Sequence, residues 1–176
     1  MKSILQVLLL ALAFAGSAKA AEVTAVKNVG LSRYMGVWYE QAHFPLYFQR
    51  MCVANTTATY SLRKDGLVDV HNRCEERDGS QADATGVAKT VDGSTSKLKV
   101  RFAPAALSFL PFVWGDYWVI ALDRDYQWSV VGTPNRKYLW ILTRDKKIPQ
   151  EKFDELVNMA KAQGFDTTRL IRTEQR

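Results

Sequence analysis

The chain has 176 residues and a formal net charge of +6, from 24 Lys and Arg against 18 Asp and Glu. No run of five or six basic residues concentrates this charge, so the sequence predicts no nucleic-acid partner. The surplus is compatible with mild attraction to anionic lipid surfaces or acidic ligands. Length and an apolar fraction of 47% suit one globular domain with a sizeable core.

The first twenty residues have the pattern of a secretory signal peptide. Lys2 supplies a positive start, Ile4 to Phe14 is apolar but too short to span a bilayer, and residues 18–20 (Ala-Lys-Ala) fit the cleavage rule. A buried N-terminal helix is the alternative explanation. We predict removal of residues 1–20, which leaves residues 21–176 as a single domain exported to a periplasmic or extracellular space.

The chain contains two cysteines, Cys52 and Cys74. An even number of cysteines in an exported chain favours one disulfide between them. A metal site that also uses His43 and His71 is the alternative, but the spacings are unlike known zinc patterns. We therefore predict a disulfide, no metal site and no cofactor.

Strand-like segments recur about every ten residues, with turn signals between them. One turn contains Asp65-Gly66, whose glycine suits the positive-φ position of a hairpin. The predicted strands are Val37–Phe44, Asn55–Leu62, Leu67–Arg73, Ala82–Thr90, Lys97–Phe102, Asp116–Leu122, Tyr126–Gly132 and Tyr138–Thr143. Eight strands in an up-and-down order predict an all-β fold, a small closed antiparallel barrel.

The segment from Pro149 to Gly164 has a helical period instead. Its apolar residues recur at spacings of three and four: Phe153, Leu156, Val157 and Ala160. Pro149 suits the helix start and Gly164 a C-terminal cap. We predict one C-terminal α-helix packed on the outside of the barrel. The following tail, Phe165 to Ile171, is a candidate for an outer strand.

A tryptophan at the start of the first strand and an arginine at the end of the last would meet if the sheet closes. Trp38 follows the strand-breaking Gly36, and Arg144 ends the eighth strand. The guanidinium would then lie over the indole face and plug one end of the barrel. Barrels of about eight strands hold either side chains or one small ligand. The pair therefore indicates a ligand carrier.

Three blocks of sequence, in order, carry a family resemblance: Gly36–Glu40, Gly115–Asp123 and Tyr138–Arg144. Together with Ala58–Leu62, they resemble the lipocalin family, in particular its bacterial outer-membrane lipocalin and apolipoprotein D branch. The resemblance implies that Trp38 and Arg144 seal the closed end and that a ligand enters at the other. Bacterial members commonly carry a lipobox cysteine, which this sequence lacks, so we expect a soluble protein without a lipid anchor.

Strand parity predicts which residues face the inside of the barrel. The resulting lining is apolar and aromatic with a few polar atoms, which suits one long apolar molecule with a polar end. Small residues such as Ala58, Gly86 and Ala121 favour a hollow over a filled core, which is the alternative. A β-bulge would reverse any one set. The predicted ligand-binding residues are Glu40, Ala42, Ala58, Tyr60, Val70, Asn72, Ala88, Val100, Phe102, Tyr117, Val119, Trp140 and Leu142.

Two apolar loops, Phe44–Met51 and Ala106–Trp114, are expected at the end of the barrel opposite Trp38. Apolar exposed patches mark contact sites, so these loops are predicted to accept an acyl chain or touch a membrane transiently. Loops that fold over the mouth and pack on each other are the alternative. The predicted rim residues are Phe44, Tyr47, Phe48, Phe109, Phe112 and Trp114.

The leading hypothesis is a carrier of a fatty acid, a lysophospholipid or a similar amphiphile, acting as a monomer or weak homodimer. A carrier of a rigid ring compound such as a tetrapyrrole, retinoid or pigment is an alternative, supported by His43 near the rim. A lipid-acting enzyme that uses Glu40 as acid or base is a weaker one, since no recognised catalytic motif is present in the sequence. We therefore predict a binding protein and no enzyme.

Overall fold

The computed structural model describes residues 21–176, so the predicted signal peptide lies outside the described residues. A short helix, α1 (Leu31–Tyr34), precedes the first strand, and α2 (Gln150–Ala162) follows the eighth. The described strands are β1 (Gly36–His43), β2 (Cys52–Leu62), β3 (Val68–Glu76), β4 (Gln81–Val91), β5 (Ser94–Arg101), β6 (Gly115–Leu122), β7 (Trp128–Gly132), β8 (Leu139–Thr143) and β9 (Ile171–Arg172). Within residues 21–176, no helix is long and apolar enough to cross a bilayer.

The first eight strands form a closed barrel. Each pairs antiparallel with the next along the chain, and β1 also pairs with β8. Trp38 in β1 lies opposite Ala58 in β2, and Glu40 lies opposite Leu142 in β8. The predicted fold, an eight-stranded up-and-down barrel with a C-terminal helix outside, is confirmed.

Two apolar clusters lie on opposite sides of the barrel wall. The inner cluster includes Trp38, Tyr60 and Val119. The outer cluster joins outward-facing wall residues to the buried stripe of α2, where Phe153 and Leu156 lie. The helix is therefore held by the periodic apolar residues that predicted it.

A bulge in β1 reverses the predicted direction of the residues that follow it. The register against β8 passes from Glu40 opposite Leu142 to Ala42 opposite Ile141, so β1 advances two residues while β8 advances one. Ala42 and Phe44 consequently lie in the outer cluster. The ring centroids of Phe44 and Phe165 are 6.2 Å apart. The predictions that Ala42 faces the cavity and that Phe44 belongs to the rim are wrong for this reason.

A second bulge, in β6, has the same effect. The register against β7 passes from Val119 opposite Val131 to Ala121 opposite Val130. Val119 faces the inner cluster, whereas Ala121 packs on the outer one. The expectation that Ala121 leaves space inside the barrel is therefore wrong.

The C-terminal tail fills a gap in the wall between β1 and β2. Their paired residues run from Gly36 to Tyr39 on β1. Beyond that point β9 pairs with Ala42 and His43. It shares only Ile171 with the predicted outer strand, Phe165 to Ile171, and extends one residue beyond it. The side-chain amide of Gln175 then donates to the carbonyl oxygens of Glu40 and Thr56, at 2.8 Å each. The tail thus links β1 to β2 where their own ladder stops.

Candidate ligand-binding cavity

A cavity of about 520 Å³ occupies the inside of the barrel, with loop residues such as Phe48 and Val113 at its mouth. This volume falls in the range of about 300–1,000 Å³ that small-molecule sites have. The structure places all of the predicted ligand-binding residues except Ala42 in its wall: Glu40, Ala58, Tyr60, Val70, Asn72, Ala88, Val100, Phe102, Tyr117, Val119, Trp140 and Leu142. Their role in binding stays a prediction.

The floor of the cavity was missed by the sequence prediction. It is formed by the segment before β1, including Val29, Leu31, Tyr34 and Met35. Leu31 and Tyr34 both contact the inner cluster because they lie three residues apart on α1. That spacing was visible in the sequence, but one helical turn is too short to predict from periodicity.

The closed end is held by the predicted pair of Trp38 and Arg144. The guanidinium carbon of Arg144 lies 3.9 Å from the centroid of the Trp38 ring. Its nitrogens donate to several backbone carbonyls, including those of Val37 at 2.7 Å and Met35 at 2.8 Å. Gly36 adopts a φ of +93°, a backbone conformation that favours glycine. Burial lowers the pKa of Arg144, an effect that the nearby phenol of Tyr34 opposes.

A chain of four hydroxyl groups lies at the cavity floor. The Tyr60 and Tyr117 hydroxyls are 3.0 Å apart, those of Tyr117 and Tyr34 are 2.9 Å apart, and Tyr34 is 2.9 Å from Ser129. Burial raises the pKa of Tyr34 to about 12 and also raises the pKa values of Tyr60 and Tyr117 well above the ordinary value of a phenol. The phenols are therefore neutral hydrogen-bonding groups at physiological pH.

Glu40 is the acidic group of the β1 wall, and both of its carboxylate oxygens are engaged. The amide of Gln49 donates to both oxygens at 2.8 Å, and the hydroxyl of Thr173 donates to Oε1 at 2.6 Å. Nε2 of His43 lies 3.8 Å from the same oxygen. The carboxylate thus connects the first loop and the C-terminal tail to the barrel wall.

His43 does not face the cavity. Its Nδ1 hydrogen-bonds the carbonyl oxygen of Phe44 at 2.7 Å, and the residue is absent from the cavity wall that residues 21–176 form. The structure therefore removes the sequence feature that favoured a tetrapyrrole.

The apolar loops at the mouth expose their aromatic side chains. Tyr47, Phe48, Phe109 and Phe112 are 77%, 60%, 75% and 80% exposed, so they do not pack on each other as the alternative required. Trp114 instead lies outside the wall, where Lys89 Nζ is 4.2 Å from its ring centroid. Its indole Nε1 also donates to the carbonyl oxygen of Ser108 in the same loop at 2.8 Å, so the predicted place of Trp114 on the rim stays a prediction.

The predicted disulfide between Cys52 and Cys74 is present. It joins the start of β2 to β3, with the two Cα atoms 5.5 Å apart, and both cysteines lie in the cavity wall. The covalent link therefore fixes the end of the first loop at the mouth.

Comparison with known proteins decides the family. The model of a lipocalin-like domain matches residues 29–175, almost all of the described chain. The chain is a lipocalin. The resemblance inferred from the three sequence blocks is confirmed, and lipocalins are in general binding and transport proteins for small hydrophobic molecules.

Relatives of this lipocalin occur in bacteria and plants. It is 43% identical to the outer membrane lipoprotein Blc of Citrobacter freundii over 155 residues, which are 87% of this chain and 83% of the relative. It is 41% identical to temperature-induced lipocalin-1 of Arabidopsis thaliana over 157 residues, 88% and 83% of the two chains. Insecticyanin of the tobacco hornworm Manduca sexta shares the fold, with a TM-score of 0.67 at 20% identity over 89% and 86% of the two chains.

Proposed function

We propose that this lipocalin is an exported carrier that holds one fatty acid, lysophospholipid or similar single-chain amphiphile, and that it serves membrane maintenance or a stress response. The observation that carries the proposal is the shape and chemistry of the cavity. It is closed by Trp38 and Arg144 at one end, opens between apolar loops at the other, and is lined mainly by aliphatic and aromatic side chains.

Burial of the acyl chain would supply the affinity. Each buried methylene contributes about 0.8 kcal/mol, so about ten of them contribute about 8 kcal/mol before the cost of immobilising the ligand. The part of the cavity wall that belongs to the inner cluster offers apolar surface for such a chain, including Val70, Leu98 and Leu142. The polar end of the ligand would lie nearer the mouth, on the side of Glu40 and Asn72.

Neither alternative function gains support from the geometry. The ring-compound hypothesis depended on His43, which lies outside the cavity wall. The enzyme hypothesis depended on Glu40, whose oxygens are already engaged by Gln49 and Thr173. The carrier is therefore the function we propose.

Intrinsic fluorescence provides the test, because Trp140 lies in the cavity wall. Its ring stacks on that of Tyr138, with the ring centroids 6.0 Å apart. We expect added fatty acids to change the fluorescence and each further methylene to tighten binding about fourfold. The variant Trp140→Ala should bind at least tenfold more weakly. Trp128→Ala, which removes a tryptophan from the outer cluster, is the matched control. Binding without dependence on chain length would contradict the proposal.

The carrier would exchange its ligand while the mouth touches a membrane. The exposed Phe109 and Phe112 present apolar surface beside the opening, and Arg50, stacked 4.0 Å from the Tyr47 ring, adds positive charge. Apolar insertion and attraction to anionic lipids act together at membrane surfaces.

Vesicle co-sedimentation tests this contact. We expect the native chain to associate with vesicles that contain anionic lipid, and the double variant Phe109→Ser, Phe112→Ser to associate several-fold less. A matched control is Val37→Ser, which removes an exposed apolar residue at the closed end. Equal association of all three proteins would contradict a contact through the mouth.

A further inference from the structure

Asn72 stands halfway along β3 with its side chain in the cavity wall. Val68 and Val70 precede it on the same face toward the closed end, and Cys74 follows it toward the mouth. The residues directly opposite on the neighbouring strands are Ala58 in β2 and Ala84 in β4. Paired residues in a sheet share a face, so the amide is flanked by two methyl groups. Neither neighbour can hydrogen-bond it.

The amide oxygen of Asn72 is buried and has no hydrogen-bond partner among residues 21–176. The hydroxyl of Tyr60, another residue of the cavity wall, is bonded to Tyr117. An unpaired buried acceptor costs about 1–3 kcal/mol, and native proteins contain few of them. Leucine in the same place would avoid this cost and add apolar surface. An asparagine here is therefore better explained by a ligand than by the stability of the fold.

We infer that the Asn72 amide binds a ligand group that both donates and accepts hydrogen bonds, such as a hydroxyl of an acylated glycerol. The inference rests on the proposed carrier function and names the ligand class within it. Asparagine presents an acceptor oxygen and a donor NH₂, and its terminal torsion is broad, so a small rotation turns either group toward the lumen. One hydroxyl could satisfy both.

A free carboxylate fits this position less well. It only accepts hydrogen bonds, so it would leave the Asn72 oxygen unpaired. It would also enter a wall that contains the carboxylates of Glu40, Asp83 and Asp116 against the one guanidinium of Arg73 among the described lining residues. The site thus favours monoacylglycerols and lysophospholipids with a free glycerol hydroxyl over fatty acids of equal chain length.

Two ligands with the same acyl ester test the inference: 1-decanoylglycerol, which has free hydroxyls, and methyl decanoate, which has none. We expect the native protein to bind the acylglycerol about tenfold more tightly, as one well-made hydrogen bond allows. In Asn72→Leu the preference should fall to within about twofold. Val87→Leu, which makes an apolar change on β4 outside the cavity wall, should keep it.

The side-chain NH₂ resonances of Asn72 provide a measurement that needs no variant. They should shift on addition of 1-decanoylglycerol and stay in place on addition of methyl decanoate. A preference that survives in Asn72→Leu, or resonances that respond equally to both ligands, would overturn the role of Asn72 and leave the carrier proposal intact. If the native protein bound neither ligand, the carrier proposal would fail as well.

Discussion

The two ends of the barrel are built in opposite ways. At the closed end, Arg144 stacks on Trp38 and donates to backbone carbonyls, while Tyr34 lies 4.7 Å from the same indole ring. At the open end, Phe109 and Phe112 are largely exposed. Buried, fully hydrogen-bonded groups resist change, whereas exposed apolar loops contribute little to stability and are free to contact a partner. We therefore expect the closed end to contribute more to stability, while under the proposed carrier function the open end serves ligand exchange.

The largest effect is expected from breaking the closed end at Arg144. Replacement by leucine removes the cation–π contact and leaves several backbone carbonyls without their charged donor, which should cost about 4 kcal/mol of unfolding free energy. Urea denaturation measures it. Arg144→Lys keeps the charge but loses the forked geometry, so it should recover less than half of the loss. A leucine variant as stable as the native chain would break the comparison.

The disulfide between Cys52 and Cys74 is a covalent link at the open end. The cysteines are 22 residues apart in sequence. Replacing both with serine should cost about 3 kcal/mol by releasing that loop in the unfolded chain. Denaturation of the variant, and of the native chain with and without reductant, gives the value. An unchanged midpoint after complete reduction would show that the open end needs no covalent support.

Alkaline pH should destabilise the folded chain through the buried tyrosines at the floor of the cavity. The pKa of Tyr34 rises from 10.0 to about 12 on burial, so its folded form keeps the proton when the unfolded form has lost it. Its contribution to stability is complete below pH 10 and is lost as pH rises toward 12, by about 2–3 kcal/mol. Phenolate absorbance from Tyr34, Tyr60 and Tyr117 should therefore rise only together with unfolding. Ionisation of these three phenols while the chain is still folded would contradict this expectation.

The smallest effect is expected at the rim. Phe109→Ser combined with Phe112→Ser should change the unfolding free energy by no more than about 0.5 kcal/mol, because both side chains are exposed already. Thermal unfolding without vesicles measures it. A loss of unfolding free energy comparable to that of the disulfide variant would mean that the mouth loops stabilise the fold. The contrast between a stabilising closed end and a non-stabilising rim would then fail.

Local alternation was enough to predict much of the barrel. Leu98 and Val100 of β5 alternate with Lys97 and Lys99, and both apolar residues lie in the cavity wall. The Trp38–Arg144 contact was predictable because a closed sheet brings its first and last strands together. In both cases the pattern lies within one strand or follows from closure alone.

The errors have a different physical origin. The bulges before Ala42 and Ala121 arise from how β1 and β6 meet their partner strands, so no pattern within one strand reveals them. The floor of the cavity was missed because it depends on α1, a single helical turn that is stabilised by the packing of Tyr34 in the inner cluster. Strand parity placed Asn72 in the wall, but the lack of a hydrogen-bond partner for its amide oxygen among residues 21–176 depends on the neighbouring strands, which place Ala58 and Ala84 beside it.

Gln175 bridges β1 and β2 through its hydrogen bonds to Glu40 and Thr56, and we call this bridge the C-terminal seam. It has a practical consequence for experiments on this protein. The Gln175 side chain is buried and ties together the main chains of β1 and β2, and Arg176 beyond it contacts Glu75 at 2.8 Å. We expect purification handles or fluorescent fusions attached after Arg176 to weaken the hydrogen bonds of Gln175 and so destabilise the barrel beside Glu40. Handles attached before residue 21 leave the seam untouched and are the better choice for binding studies.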